Sequence, residues 1–398
     1  MKIVDKKDRS KHKRLRTAGR GVLLLVLLIL VPAAYVLPQI LIRGNAAEFY
    51  SSEIFPWVSL LPNAICGMFL FSLTEVIVVV GSISLLVLLI LFIIKCIKLA
   101  LTKNTGALLH YIYVVLRNIA VIGIVLALAF EMMHGLNYNR TSVRKRMELY
   151  GETRPYDDYA ETLLWAYSGM VEARNRLGED YNGVAHMSTS FESIVYDANV
   201  AVGSVSQFYD LDLSPNYIRS KPVWLSHLWM YTDIVGAYDM FIGESNINTD
   251  YIDILHFPVT VCHEIVHGRG YASETDANTI AVLSCINSPR ADFRYAGYYH
   301  IFINLWSTVT DYANHEGAEV YDYASRNDFK PVVRDINAYY EYLEQFNEGP
   351  IADFISRFSE EVNNAFLESN GQTGGTSTYV VPQNVFVEYY CRYVRADA

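Results

Sequence analysis

Cysteine is scarce in this chain. Five are spread over 398 residues, at Cys66, Cys96, Cys262, Cys285 and Cys391, and no two form a CxxC pair. That excludes a thiolate zinc site and a disulfide-stapled scaffold. Cys66 and Cys96 fall in or beside apolar segments, where a thiol packs as a small hydrophobe. Cys262 and Cys285 would pair only if their helices faced each other. Basic residues are sparse in the second part: residues 147–398 carry 14 Lys and Arg against 36 Asp and Glu. Phosphate backbones are held by clustered cations, so no nucleic acid is expected as a partner. No internal repeat is visible.

The first part has the opposite balance, with 18 Lys and Arg against 6 Asp and Glu in residues 1–146. Two opposed halves suggest two environments. Three stretches of the basic half are almost free of charge. They are GVLLLVLLILVPAAYVLPQILI at residues 21–42, about 69–94 with VIVVVGSISLLVLLILFII, and about 111–131 with YVVLRNIAVIGIVLALAF. Each is near the ~20 residues that cross ~30 Å of hydrocarbon. A cleaved signal peptide is excluded for the first, because its apolar run is too long and two more follow.

Flanking charge gives an orientation. The leader MKIVDKKDRSKHKRLRTAGR (residues 1–20) is strongly basic, and Lys95, Lys98 and Lys103 follow the second span. The loop at about 43–68 holds Arg43 as its one basic residue. A cytoplasmic N-terminus, a membrane domain over 21–134 and an extracytoplasmic domain over 135–398 are therefore expected, in a multi-pass cell-membrane protein whose partner is the lipid bilayer. Arg140, Arg144, Lys145 and Arg146 oppose this, since they follow the third span on the outer side. Arg117 and Glu131 stand toward the ends of that span, where snorkelling is expected.

From Pro155 the pattern is mostly helical. YDDYAETLLWAYSGMVEARNRLG and FESIVYDANVAVGSVSQFY repeat apolar residues at three- and four-residue spacing. The stretch IVGAYDMFIGESNINT (residues 234–249) has no helical period and reads as a loop or short strand. Within it, FIGESNIN is a candidate edge for an extended substrate, and Glu244 has no assigned role. The tail GQTGGTSTYVVP, from Gly371, reads as a flexible turn or linker. The fold class expected is mainly α: three N-terminal transmembrane helices and then a mostly helical domain.

Chemistry concentrates in VCHEIVHGRGYASETDAN, residues 261–278. Pro258 suits a first helical turn, and Gly268 and Gly270 stop the helix. His263 and His267 then share one face at i and i+4, placed to bind one Zn2+ per chain. Glu264 is rotated off that axis, where it reaches metal-activated water as a general base. A hydrolytic zinc site needs a third protein ligand and an open position. Ser273 is a good N-cap with Asp276 as its capping-box partner. Glu274 in that first turn is the nearest third ligand, Asp276 the competing one, and Asn278 a group to orient a ligand. Tyr271, Arg294, Tyr298 and His300 are candidate donors for a developing oxyanion. The competing reading is a core histidine pair without metal. An intramembrane protease is excluded, because no ~20-residue apolar run contains this helix.

These residues resemble a known family. CHEIVHGRGYASETDAN is similar to the pattern HElaHqrGfarExEAN of a bacterial membrane-protein family catalogued as domain of unknown function 3810. HGLNYNRT, FIGESNIN, FRYAGYYH and FLESNGQTGGTSTY extend the likeness over nearly the whole chain. The motif also looks like that of the gluzincins, zinc peptidases whose third ligand is a glutamate in an ExxxD or ExxxN turn. That resemblance implies a zincin-like outer domain with His263, His267 and Glu274 as ligands, Glu264 as base and Asn278 behind them. Two departures stand out: the spacer before Glu274 is shorter than in most gluzincins, and Asn278 replaces the usual aspartate.

The expected function is a membrane-anchored zinc metallopeptidase acting on a peptide or protein. The alternative is a non-catalytic, membrane-anchored binding or sensing protein with a structural or vestigial metal site. A fourth protein ligand, with His256 and His300 as candidates, would favour that alternative. A third possibility is hydrolysis of a non-peptide bond such as a cell-wall amide.

Overall fold

A computed structural model describes residues 6–150, 154–316, 326–346 and 349–395. The first five residues of the basic leader lie outside the described residues. Three helices are long and apolar enough to cross a membrane: Ala18–Leu41 within α1 (Lys6–Leu41), α4 (Leu73–Leu101) and α5 (Thr105–Met133). The second starts later than its hydropathy suggests, because Ser72 caps it by accepting from the Glu75 amide at 2.9 Å. The third starts earlier, at the Asn104 cap, whose Oδ1 accepts from the Ala107 amide at 3.0 Å. Arg117 therefore lies well inside α5. Glu131 does not snorkel outward: it is buried, and Gln39 Nε2 of α1 donates to it at 2.8 Å.

The loop expected between the first two spans is helical. It holds α2 (Asn45–Phe49), a π-helical turn (Tyr50–Ile54) and α3 (Phe55–Gly67). Beyond the third span come α6 (Val143–Arg146), α7 (Tyr156–Arg174), α8 (Phe191–Phe208) and α9 (Ser226–Trp229). They are followed by α10 (Phe257–Gly268), α11 (Glu274–Ile286) and α12 (Ala291–Glu316). Last are α13 (Lys330–Glu344), α14 (Pro350–Ser369) and α15 (Gln383–Tyr389). The chain is mainly α, as its periodicity predicts.

The core lies around α10, which is buried on all sides. Val261, Ile265 and Val266 are wholly enclosed, as α10 and α11 pack on each other and against α8 and α12. Each such side chain contributes ~1.5–3 kcal/mol through burial, so the motif helix sits on a rigid support. Cys262 and Cys285 face each other across α10 and α11 with their sulfurs 3.8 Å apart, as free thiols.

The non-helical stretch forms a three-stranded sheet in the order β1-β3-β2, from β1 (Lys221–Pro222), β2 (Gly236–Asp239) and β3 (Glu244–Ile247). β3 pairs in parallel with β1 and antiparallel with β2. FIGESNIN therefore offers no edge, because its strand is central; the outer strands are β1 and β2. The Glu244 carboxylate instead accepts from the Thr74 amide at 2.8 Å, at the positive end of α4. In return, Glu75 of α4 accepts from the Trp224 and Leu225 amides at 2.9 and 2.7 Å. The sheet and the second span are clamped from both sides.

Two residues of the basic cluster after the third span, Arg140 and Arg146, are engaged within the protein. Arg140 is buried, donates to the carbonyls of Gly270 (2.7 Å), Leu211 (3.1 Å) and Asp212 (3.2 Å), and stacks on the Tyr271 ring. Arg146 pairs with Glu48 and with Asp212.

Candidate metal centre

The motif helix begins with Pro258 in its first turn and ends at Gly268. Gly270 then adopts φ +98°, a backbone conformation that side chains disfavour, and a Cβ there would meet the Phe55 ring at 2.9 Å. The tight reversal brings Ser273 round as N-cap of α11, its Oγ accepting from the Asp276 amide at 3.4 Å. Glu274, the first residue of α11, is thereby aimed back at α10.

Three side chains converge. His263 Nε2 lies 2.9 Å from His267 Nε2 and 3.2 Å from Glu274 Oε2, and His267 Nε2 lies 3.4 Å from the same oxygen. All three are buried. Zn–N and Zn–O bonds near 2.0–2.1 Å in a tetrahedron put ligand atoms ~3.3 Å apart. The observed triangle has those edges.

The far side of each ring fixes its tautomer. His267 Nδ1 sits 2.7 Å from the Tyr271 carbonyl, which only accepts, so Nδ1 carries the proton. His263 Nδ1 sits 2.7 Å from Asn278 Oδ1, whose amide nitrogen in turn donates to the Tyr379 carbonyl at 2.7 Å. Both Nε2 lone pairs therefore point at each other and at a carboxylate oxygen. Three lone pairs at such separations repel unless a proton or a metal ion lies among them. Without metal, a proton can take that place: burial opposes charge on His267, yet the Glu274 carboxylate outweighs it and pushes this imidazole up to about 9, so the pocket is built to hold positive charge. Burial likewise works against the Glu274 charge, but His267 and His263 hold it well below the usual carboxylate range. The donor set fits zinc.

Asp276 is turned away, accepting from the Val143 amide at 3.0 Å, and is no member of the triangle. Its carboxylate thus serves the start of α6 as well as Ser273, the cap partner the sequence suggests. Glu264 lies next to the triad. Its Oε2 is buried with no hydrogen-bond partner among the described residues, and burial raises its pKa. β2 runs close by: a Cβ on Gly236 would stand 2.7 Å from Glu264 Oε1.

Of the four candidate oxyanion donors, Tyr271 and Arg294 donate to backbone carbonyls, and Tyr298 and His300 pack against aromatic rings. Tyr271 is enclosed and donates to the Leu211 carbonyl at 3.0 Å. Arg294 reaches the Ser288 and Pro289 carbonyls at 3.3 and 3.2 Å. Tyr298 packs edge-on against Trp165. His300 lies against His256, which is bound to Asp253 at 2.8 Å. Among the described residues the metal-ligating group comprises His263, His267 and Glu274, and neither His256 nor His300 closes it.

Other residues take their places around the triad. His134, the first residue after α5, packs edge-on to His267 with ring centroids 5.7 Å apart, and its Nε2 lies 3.3 Å from the Tyr138 hydroxyl. Burial, with His267 adding to it, pushes His134 down to about 3, so it stays neutral. Tyr238 of β2 lies 6.2 Å from the His267 ring, its hydroxyl buried and without a partner among the described residues. Tyr379 lies 6.3 Å from the His263 ring. The tail that carries it is no free linker, since the Thr378 carbonyl accepts from Thr275 Oγ1 at 2.8 Å.

No curated protein and no solved structure is detectably similar to this chain. Over residues 50–382 it matches the family described as protein of unknown function DUF3810. That span takes in the second and third apolar helices, the triad, Glu264 and the tail segment at Tyr379, and the chain belongs to the DUF3810 family.

Proposed function

We propose that this protein is a membrane-anchored, zinc-dependent metallopeptidase whose catalytic domain lies outside the cytoplasm. The observation that carries the reading is the triangle of His263, His267 and Glu274, with edges of 2.9, 3.2 and 3.4 Å and both imidazole lone pairs turned inward. Bound there, zinc supplies Lewis acidity that activates water and polarises a carbonyl. Three protein donors leave room for that chemistry, whereas a structural zinc site is closed by a fourth.

The chain's own residues supply the rest. Asn278 and the Tyr271 carbonyl hold the two rings in the ligating tautomer. Glu264, raised by burial toward neutrality, takes a proton at Oε2 and returns it to the leaving amine. Burial keeps the Tyr238 phenol protonated, as a donor beside the triad. The outer strand β2 beside Glu264 suits an extended peptide backbone. An outer location is supported by the basic leader, and Arg140 and Arg146 weigh less against it, because the Gly270 carbonyl and the Glu48 carboxylate occupy them.

The test is Glu264→Gln in the full-length protein, incubated with a peptide library whose new termini are read by mass spectrometry. Wild type with one equivalent of zinc is expected to cut, and the variant to bind zinc equally but not cut. Equal cleavage by both rejects the mechanism. Absence of stoichiometric zinc from both wild type and His263→Ala rejects the site.

A further inference from the structure

α3 has its polar and apolar sides reversed for a helix bathed in water. Ser59, Asn63 and Cys66 face inward against the outer domain, while the outward side carries Trp57, Leu60, Leu61 and Ile65, exposed by 76, 43, 67 and 46%. Met68 and Leu70 continue it at 75 and 73%. No charged residue occurs from Ile54 to Thr74. A contiguous apolar face of this kind marks an interaction surface. At 13 residues the helix is ~20 Å long, too short to cross ~30 Å of hydrocarbon.

A second observation concerns the helix end. Backbone carbonyls left open at a helix C-terminus are tolerated in water but not in hydrocarbon. Here they are closed by side chains of the outer domain. Lys221 Nζ of β1 donates to the Cys66 carbonyl at 2.9 Å and to that of Phe69, and Arg219 donates to Gly67 at 2.9 Å. Near the other end, Asn216 Nδ2 donates to the Pro56 carbonyl at 2.8 Å. The helix end is thus paired, and cations sit at its negative pole.

We propose that α3 is an interfacial helix whose outer face lies in the lipid of the leaflet on the catalytic side, holding the candidate metal centre at the bilayer surface. Lipid is the occupant because the face is continuous with membrane-crossing helix on both sides: α3 follows α1 after a short helical segment and leads through Phe69–Phe71 into α4. Phe71 stacks on the exposed Trp224 at 5.5 Å, adding an aromatic pair of the kind found at membrane interfaces. The link to the centre is short. A Cβ on Gly243 would touch Asn63 of α3 at 2.7 Å, Met133 at the end of α5 at 2.9 Å and the Tyr238 hydroxyl at 3.3 Å, and Tyr238 neighbours His267. Resting on the peptidase reading, this favours polypeptides tethered to the same membrane as substrates, cut close to their anchor.

The experiment uses full-length protein in phospholipid nanodiscs, with Cys96 and Cys391 replaced by serine and the three buried cysteines kept. A nitroxide label on Leu61→Cys is compared with labels on Leu86→Cys in α4 and Tyr181→Cys, which is 97% exposed. Oxygen should relax the Leu61 label as it does the α4 label, and a water-soluble nickel chelate should leave it nearly unaffected. Relaxation by the chelate equal to that at Tyr181 overturns the proposal. So does protection from both reagents, which would mean a protein partner covers the face. If Leu61→Cys does not fold, brominated lipid should quench wild-type tryptophan emission more than that of Trp57→Phe; equal quenching overturns the proposal. Neither measurement needs metal, so a failure here leaves zinc content and Glu264 untouched, and the reverse holds as well.

Discussion

Asn278 connects the triad to the tail, which makes it the most informative residue to perturb. Its Oδ1 accepts from His263 Nδ1 and its amide nitrogen donates to the Tyr379 carbonyl, both at 2.7 Å. Asn278→Ala removes both bonds. Losing the partner that orients a ligating histidine weakens metal binding ~10–100-fold, or about 1.4–2.7 kcal/mol. At a free zinc concentration 1,000 times the wild-type Kd, zinc-linked stabilisation of ~4.1 kcal/mol should fall by that same amount. Asn278→Asp separates the two bonds. Its carboxylate still accepts from His263 Nδ1 but opposes the Tyr379 carbonyl. Zinc affinity should match or exceed wild type in this variant, while the backbone of residues 375–379 exchanges hydrogen faster in both. Affinity is measured by competition with a chromogenic chelator, and the tail by hydrogen exchange. The reasoning fails if Asn278→Ala binds zinc within threefold of wild type, or if Asn278→Asp weakens as much as the alanine variant.

Gly236→Ala should keep zinc yet lose at least ~100-fold in hydrolysis, because the added Cβ would stand 2.7 Å from Glu264 Oε1 and 2.9 Å from Thr260 Cγ2; unchanged turnover in the peptide-library assay counts against Glu264 as base. His300 gives a pH dependence. Burial, with His256 beside it, pushes its imidazole down to about 3, below the unfolded 6.5, so it adds stability above pH 6.5 that is lost as pH falls toward 3. Between pH 7 and 5 this amounts to about 2 kcal/mol, or about 4 °C in Tm for a domain of this size, and the Tm drop should shrink by that much in His300→Phe; an unaltered drop refutes it. Arg140→Met strips three carbonyls of their buried donor and should lower stability by ~3 kcal/mol. Denaturation of the detergent-solubilised protein checks this, and a change under 1 kcal/mol would contradict the assignment.

Local rules made the triad legible. Helical periodicity puts His263 and His267 on one face, and the glycines followed by a Ser273 cap mark where α11 must start, so Glu274 has little choice of direction. The spans were legible for a similar reason, since apolar length is a one-dimensional property. What stayed hidden depends on long-range packing. Tyr271, Arg294, Tyr298 and His300 look like donors by type and nearness in sequence, yet each is held by a carbonyl or an aromatic neighbour that sequence separation conceals. The residues that do flank the triad come from distant places: His134 from just past α5, Tyr238 from a four-residue strand and Tyr379 from a glycine-rich tail. Their signal was present without a role, in HGLNYNRT, the stretch around FIGESNIN and GGTSTY. α3 eluded the reading for a different reason. Its helical period is intact, but the usual inference that the apolar side faces the core is inverted when the solvent beyond it is lipid. Trp57 and Leu61 are exposed by 76 and 67% while Ser59 and Asn63 are buried. For a chain with three helices long and apolar enough to cross a membrane, the period of a short helix gives its two faces, and only its neighbours decide which face meets the protein.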